Sequence, residues 1–220
     1  MDPKYLADIT AYIAMGGGVT LKVFIVTLIF SIPLGIICAL GKLSRFRILH
    51  GVIGTYTWVF RGTPLLLQLF FTYYGLAILT NSFISFTPLT AIYITFVFNY
   101  AAYFTEIFRA GIQSIGRGQY EASKALGMPP WLTMRRIILP QAVKTILPPM
   151  GNECINLIKD TALCYVVAVP EILKNAKVVM SRDFNVGALA IAAVLYLILT
   201  FIVIQIFRKI EKKYAYYTIK

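Results

Sequence analysis

Between Glu121 and Pro140 the chain reads EASKALGMPPWLTMRRIILP, a polar segment punctuated by glycine and proline and set between strongly apolar stretches. Glu121 to Leu126 is a short helix-forming run, and Gly127 supplies a permissive turn conformation after it. Pro129 and Pro130 then stop that helix, and the run from Trp131 to Ile138 begins where proline suits a helix start. The pattern predicts two short helices at an angle, lying along a membrane surface and offering a compact knob. The plainer alternative is an amphipathic pair that only rests on lipid.

The surrounding sequence makes the membrane explicit. Hydrophobic residues make up 59% of the chain, with 21 basic and 9 acidic side chains, and the mean hydropathy is +0.75. That composition is the mark of an integral membrane protein. Windows of about 20 apolar residues, enough to cross the hydrocarbon core, fall at 19–41, 52–79, 88–108 and 186–207. A fifth span, 141–168, holds Pro148, Pro149, Asn152, Glu153, Asn156, Lys159 and Asp160. Plain hydropathy scores it poorly, yet without it the loops on its two sides would share one face. Polar groups and helix breaks at membrane depth are tolerated where they face protein or a watery cavity, so this span is expected to line something and to kink at its proline pair. The fold class is therefore all-α, a single transmembrane domain over 1–220 with five spans and a loop at 110–140.

Basic residues set the orientation. Lys42, Arg45 and Arg47, the 109–144 segment with Arg109, Arg117, Lys124, Arg135, Arg136 and Lys144, and the tail with Arg208, Lys209, Lys212, Lys213 and Lys220 share one side. The other side has Lys4, Lys174, Lys177 and Arg182. The positive-inside rule places the N-terminus outside, and the C-terminus and the 121–140 segment in the cytoplasm. Topology accounts for much of the net charge of +12, and the short juxtamembrane loops leave no nucleic-acid-binding fold. The N-terminus is mixed in charge and reads as a retained span rather than a cleaved signal.

Little in the chain suits catalysis. The single histidine, His50, has no second ligand at metal spacing. No G-x-x-x-x-G-K-[ST] phosphate loop occurs, and Gly16, Gly17 and Gly18 are better read as permitting close helix approach. Cys38, Cys154 and Cys164 lie in apolar segments without Cys-x-x-Cys spacing and are expected to pack. Any nucleotide chemistry belongs to another polypeptide. A membrane enzyme would need a nucleophile–base pair, and a self-contained secondary transporter would need an inverted repeat; neither is visible.

The segment resembles the EAA loop of ABC-importer permeases, with Glu121, Ala122, Gly127, Ile137, Leu139 and Pro140 in the pattern positions and Ser123 in place of the usual alanine. Further stretches resemble polar amino-acid permeases of the histidine/arginine/glutamine type: Gly18 to Leu21, Phe60 to Leu65, Gln68 to Phe70, Glu106 to Ser114, Gly118 and Gln119, Leu139 to Ala142, Asn152 and Glu153, and Lys159 to Leu163. Where such permeases usually carry Thr-Ser-Leu, this chain has Thr161, Ala162 and Leu163. The resemblance implies a type I ABC-importer permease in a bacterial inner or plasma membrane. It implies two cytosolic ATPase subunits that bind ATP and Mg, a second permease that is identical or related, and an extracellular amino-acid-binding protein, with no cofactor on this chain. In that family the EAA loop is the coupling helix, here Glu121, Ala122, Ser123, Gly127, Ile137, Leu139 and Pro140.

Helical spacing suggests the substrate site. Residues at i, i+3 and i+7 share a face, so Glu153, Asn156 and Asp160 form one polar stripe, with Asn152 and Lys159 on an adjoining one. Asn99, Tyr103 and Glu106 share a face of the third span. Buried ionisable groups in a membrane usually pair or contact substrate. Glu106 is expected to pair with Arg109 three residues on, Asp160 with Lys159 or a base elsewhere in the bundle, and Arg61 with an acidic group or helix end. Glu153, Asp160, Asn156, Asn99 and Tyr103 are the candidate substrate residues. Three carboxylates with few bases suit an ammonium group and point to arginine, lysine or histidine; glutamine or another polar amino acid is the alternative.

Overall fold

The computed structural model describes residues 3–214, which form helices joined by short turns. Helices α1 (Pro3–Met15) and α2 (Gly17–Lys42) follow one another across Gly16 as one apolar run of 40 residues. The glycine is needed there because a Cβ on Gly16 would strike the Glu171 carbonyl group and the Ile172 nitrogen. Along α2 the buried positions are Thr20, Val23, Thr27, Ser31, Gly35 and Ala39, mostly small residues three or four apart. This stripe lies against α6 (Pro88–Gln113), and a Cβ on Gly35 would come 2.7 Å from Phe104 Cβ. Small residues let the two backbones approach closely, which is how helices associate without a hydrophobic drive between them.

The second apolar segment is not one straight span. Helix α3 (Arg47–Gly62) and the run Leu65–Leu79, made of α4 (Leu65–Phe70), a π-turn at Phe71–Gly75 and α5 (Leu76–Leu79), meet at a bend of 105°. Pro64 causes the break: it lacks an N–H and forces Thr63 out of the helical region, to φ −117° and ψ 145°. The expected continuous span at 52–79 is thereby corrected to a broken pair starting at Arg47.

Helix α6 forms the centre. Pro88 starts it at a position where its missing N–H costs nothing, and Thr87 Oγ1 accepts from Thr90 N. The main core gathers around its Phe96, Tyr100, Phe104 and Phe108, with residues of α2, α4 and α9 (Leu139–Asp160) packed in the same cluster. A second core joins α1, α10 (Ile172–Asp183) and α11 (Gly187–Tyr214) through Ile9, Ile13, Ile172, Val179 and Ala192.

Between α6 and α9 (Leu139–Asp160) lie α7 (Arg117–Ala125) and α8 (Pro130–Thr133). Gly127, at φ +70°, makes the turn after α7. Helix α8 is not a separate second element of the knob, because a π-turn at Met134–Ile138 carries it directly into α9. Pro148 and Pro149 lie inside α9, which remains α-helical to Asp160 and then tightens into a 3₁₀ segment, Thr161–Val167.

Among the described residues three helices are long and apolar enough to cross a membrane: Pro3–Lys42, Pro88–Gln113 and Gly187–Tyr214. The bent pair makes a fourth if it counts as one. Helix α9 falls outside that group because Lys144, Glu153, Lys159 and Asp160 lie along it.

Candidate functional site

The bend after α3 opens a cavity of about 800 Å³ between α3, α4, α6 and α9. Its floor is the break itself. Gln68 Nε2 donates to Phe60 O at 2.9 Å and to Thr63 Oγ1 at 2.8 Å. Asn99 Nδ2 reaches the same Phe60 carbonyl at 3.1 Å and Gln68 Oε1 at 3.0 Å. The carbonyl left without a helical partner by Pro64 is thus satisfied by side chains. Asn99 lines the cavity, but its amide is committed to holding the break.

Helix α9 supplies the opposite wall, where Glu153, Asn156 and Asp160 face inward together with Lys159. The sequence reading put Lys159 on an adjoining stripe; it lines the same cavity. Asp160 is held by Tyr100, whose hydroxyl donates to Oδ2 at 2.7 Å, rather than by a base. Glu153 and Asn156, one turn apart on α9, line the cavity side by side.

Arg61 lies in the last turn of α3, at a helix end, which was one of the two places expected for it. Among the described residues it forms no ion pair. Its guanidinium instead lies 5.3 Å from the centroid of the Tyr103 ring, at cation–π range, and lines the cavity. The cavity therefore carries two carboxylates and two bases, which weakens an argument from excess negative charge.

Glu106 lies apart from this cavity. Arg109 Nη2 is 2.8 Å from its Oε2, and Lys42 pairs with its Oε1 while also donating to Thr57 Oγ1 at 3.0 Å. One carboxylate thus ties α2, α3 and α6 together at one end of the bundle. Lys42 and Tyr100 are partners that the sequence does not single out, since each meets its carboxylate from a distant helix.

The α7 knob is built on few contacts. Ser123 is buried and its Oγ donates to Gln119 O at 2.7 Å, so a small side chain is required there. Met128 N and Gly127 N cap the helix by donating to Ser123 O and Lys124 O, each at 3.0 Å. Glu121 and Ala122 are exposed, Leu126 is 79% exposed and Trp131 63%. Ile137 is half-buried and Leu139 exposed at the junction with α9, beside Pro140.

Residues 31–216 match the family of binding-protein-dependent transport system inner membrane components. The chain belongs to that family. Over 203 residues, 92% of each chain, it is 40% identical to a Rickettsia bellii protein named for glutamine transport, GlnP. It is 38% identical over 92% of each chain to the arginine transport system permease protein ArtQ of Bacillus subtilis. A crystal structure of an amino acid ABC transporter with histidines superposes with a TM-score of 0.88 at 32% identity, covering 97% of this chain and 99% of that one. A MetNI methionine ABC transporter structure, at 15% identity and a TM-score of 0.70, shares the fold. The chain is thus an amino-acid ABC transporter permease subunit, a membrane component and not itself an enzyme.

Proposed function

We propose that this permease forms half of an amino-acid import pathway in a bacterial inner or plasma membrane, with five spans, an external N-terminus and the α7 knob in the cytoplasm. α9 serves as the fifth span despite its polarity, since its charged face turns into the cavity and its other face packs on α6 and α11. A second permease, identical or related, completes the pathway. Two cytosolic ATPase subunits, which bind ATP and Mg, dock on the knob through Glu121, Ala122 and the junction at Ile137, Leu139 and Pro140, while Ser123 and Gly127 keep its shape. An extracellular binding protein delivers the amino acid. Nucleotide state shifts two nearly balanced access states by binding one of them better.

The substrate is a polar amino acid, and the balanced charge of the cavity carries that reading. Arg61 presents a guanidinium suited to the α-carboxylate, and Glu153, with Asn156 beside it, suits the α-ammonium. Tyr103 fixes Arg61, and Asp160 and Lys159 remain for the side chain. A neutral, two-ended side chain such as that of glutamine uses both an acceptor and a donor there. A preference for arginine, lysine or histidine is the second reading, favoured by Asp160 and by the similarity to the arginine permease.

The test is uptake of radiolabelled glutamine and arginine into proteoliposomes holding the permease, its ATPase and its binding protein, with ATP on the ATPase side. Glu153→Gln lowers uptake of both by the same factor if that carboxylate holds the α-ammonium. A selective loss of arginine uptake would favour the second reading, and equilibration without ATP would overturn the importer reading altogether.

A further inference from the structure

A second cavity of about 800 Å³ lies between α4, the 3₁₀ segment and α10. Its charged lining is entirely basic: Lys174, Lys177 and Arg182, spaced along one face of α10. These three groups differ in how far they are already neutralised. Arg182 is spent on Asp183, with Nε 2.6 Å from Oδ1 and Nη2 2.7 Å from Oδ2. Among the described residues neither Lys174 nor Lys177 forms an ion pair. The Lys177 ammonium sits 4.1 Å from the centroid of the Tyr165 ring, which holds the charge in place over an aromatic face without cancelling it.

The two cavities adjoin. Leu66 lines both, and the 3₁₀ segment gives Leu163 to the first and Tyr165 and Val166 to the second. The residue shared by the two is thus apolar, the cation-rich cavity lies on one side of it, and the charge-balanced cavity lies on the other. An amino acid reaching Leu66 from the α10 side meets two uncancelled ammonium groups and no acidic lining side chain.

We propose that this second cavity is an outer subsite for the α-carboxylate of the transported amino acid, held by Lys174 and Lys177 before the solute passes Leu66 into the main cavity. The inference rests on the importer reading and orientation above. It assigns these lysines to the solute itself and not to an acidic face of the binding protein. Carboxylate capture on this side orders the transfer, because the carboxylate end leads and the main cavity then offers it the cations Arg61 and Lys159.

The test places a thiol in the cavity as Ser181→Cys, in transporter assembled with its ATPase in lipid nanodiscs, with the parent chain as the labelling background for Cys38, Cys154 and Cys164. An anionic methanethiosulfonate reacts faster than a cationic one, and Lys174→Gln with Lys177→Gln reverses that order. L-Arginine and L-glutamine slow the labelling, whereas agmatine, which is arginine without its carboxylate, does not. The lysine substitutions raise the half-protecting arginine concentration about tenfold or more, the loss expected for one charge-assisted hydrogen bond, and Lys177→Arg restores it. Protection by ligand-free binding protein alone, or equal protection by agmatine, would overturn the proposal. Failure of the importer reading is seen separately, as absence of ATP-driven uptake by the parent complex.

Discussion

The Tyr100 hydroxyl on α6 donates to Asp160 Oδ2 on α9 at 2.7 Å, a bond between residues 60 apart in the chain that closes one side of the main cavity. Tyr100 is 2% exposed and packs between Phe96 and Phe104, so its ring cannot follow Asp160 if α9 moves. The bond therefore fixes where the carboxylate stands relative to α6.

Tyr100→Phe keeps the ring and removes only the donor. A carboxylate that loses one hydrogen bond in a poorly hydrated setting costs about 1–3 kcal/mol. Thermal unfolding of the purified transporter should show that loss, and uptake should show a raised KM with kcat less affected, as expected when a binding group is released from its position. An unchanged KM would mean that Asp160 does not meet substrate.

Glu106 predicts an asymmetry. It faces two bases, Lys42 and Arg109, with side-chain exposures of 13%, 15% and 30% respectively. Removing Lys42 leaves Glu106 still paired, whereas removing Glu106 leaves two cations facing each other. Glu106→Gln should destabilise the protein by about 1–3 kcal/mol and more than Lys42→Met does. Paired denaturation curves of the two variants check the order, and the reverse order would show that the Lys42 bond to Thr57 matters more than its charge.

Gly35 predicts a packing failure. Any Cβ there meets Phe104 Cβ at 2.7 Å and the Ala101 carbonyl at 3.2 Å. Gly35→Val should cost about 1–3 kcal/mol by forcing α2 and α6 apart. Gly54→Ala, also in a helix but with nothing within 4 Å of its Cβ, should be neutral or stabilising by up to about 1 kcal/mol. Comparison of the two melting temperatures decides it.

How much of this was legible beforehand follows from the range of each signal. The apolar windows, the break at Pro64 as a local motif, the turn at Gly127 and the Glu153–Asn156–Asp160 stripe are all set by residues within a few positions of one another. A hydropathy window averages across a single proline, so Phe60 to Leu65 reads as part of one span although its Gly-Thr-Pro carries the break. Lys42 with Glu106, Tyr100 with Asp160 and Arg61 over Tyr103 are each at least 42 residues apart, and no periodicity links them. Lys159 lines the cavity from its adjoining stripe. A long flexible side chain reaches across a helical face that its Cα does not share.

Gly127 carries the last prediction. Its φ of +70° is open to glycine but strained for an L side chain, while nothing lies within 4 Å of an added Cβ. Substitution there acts through the backbone alone. Gly127→Ala should cost about 1–2 kcal/mol at that turn, re-aiming Met128 and the start of α8 against α7, whereas Gly118→Ala, without positive φ and with open space around it, should not. If α7 is the contact that carries ATPase movement into the spans, Gly127→Ala and Glu121→Arg both lower uptake per ATP hydrolysed, and Gly118→Ala leaves it unchanged. Measuring ATP hydrolysis and uptake on the same proteoliposomes separates this from simple loss of protein, since misfolding lowers both together while lost coupling lowers their ratio.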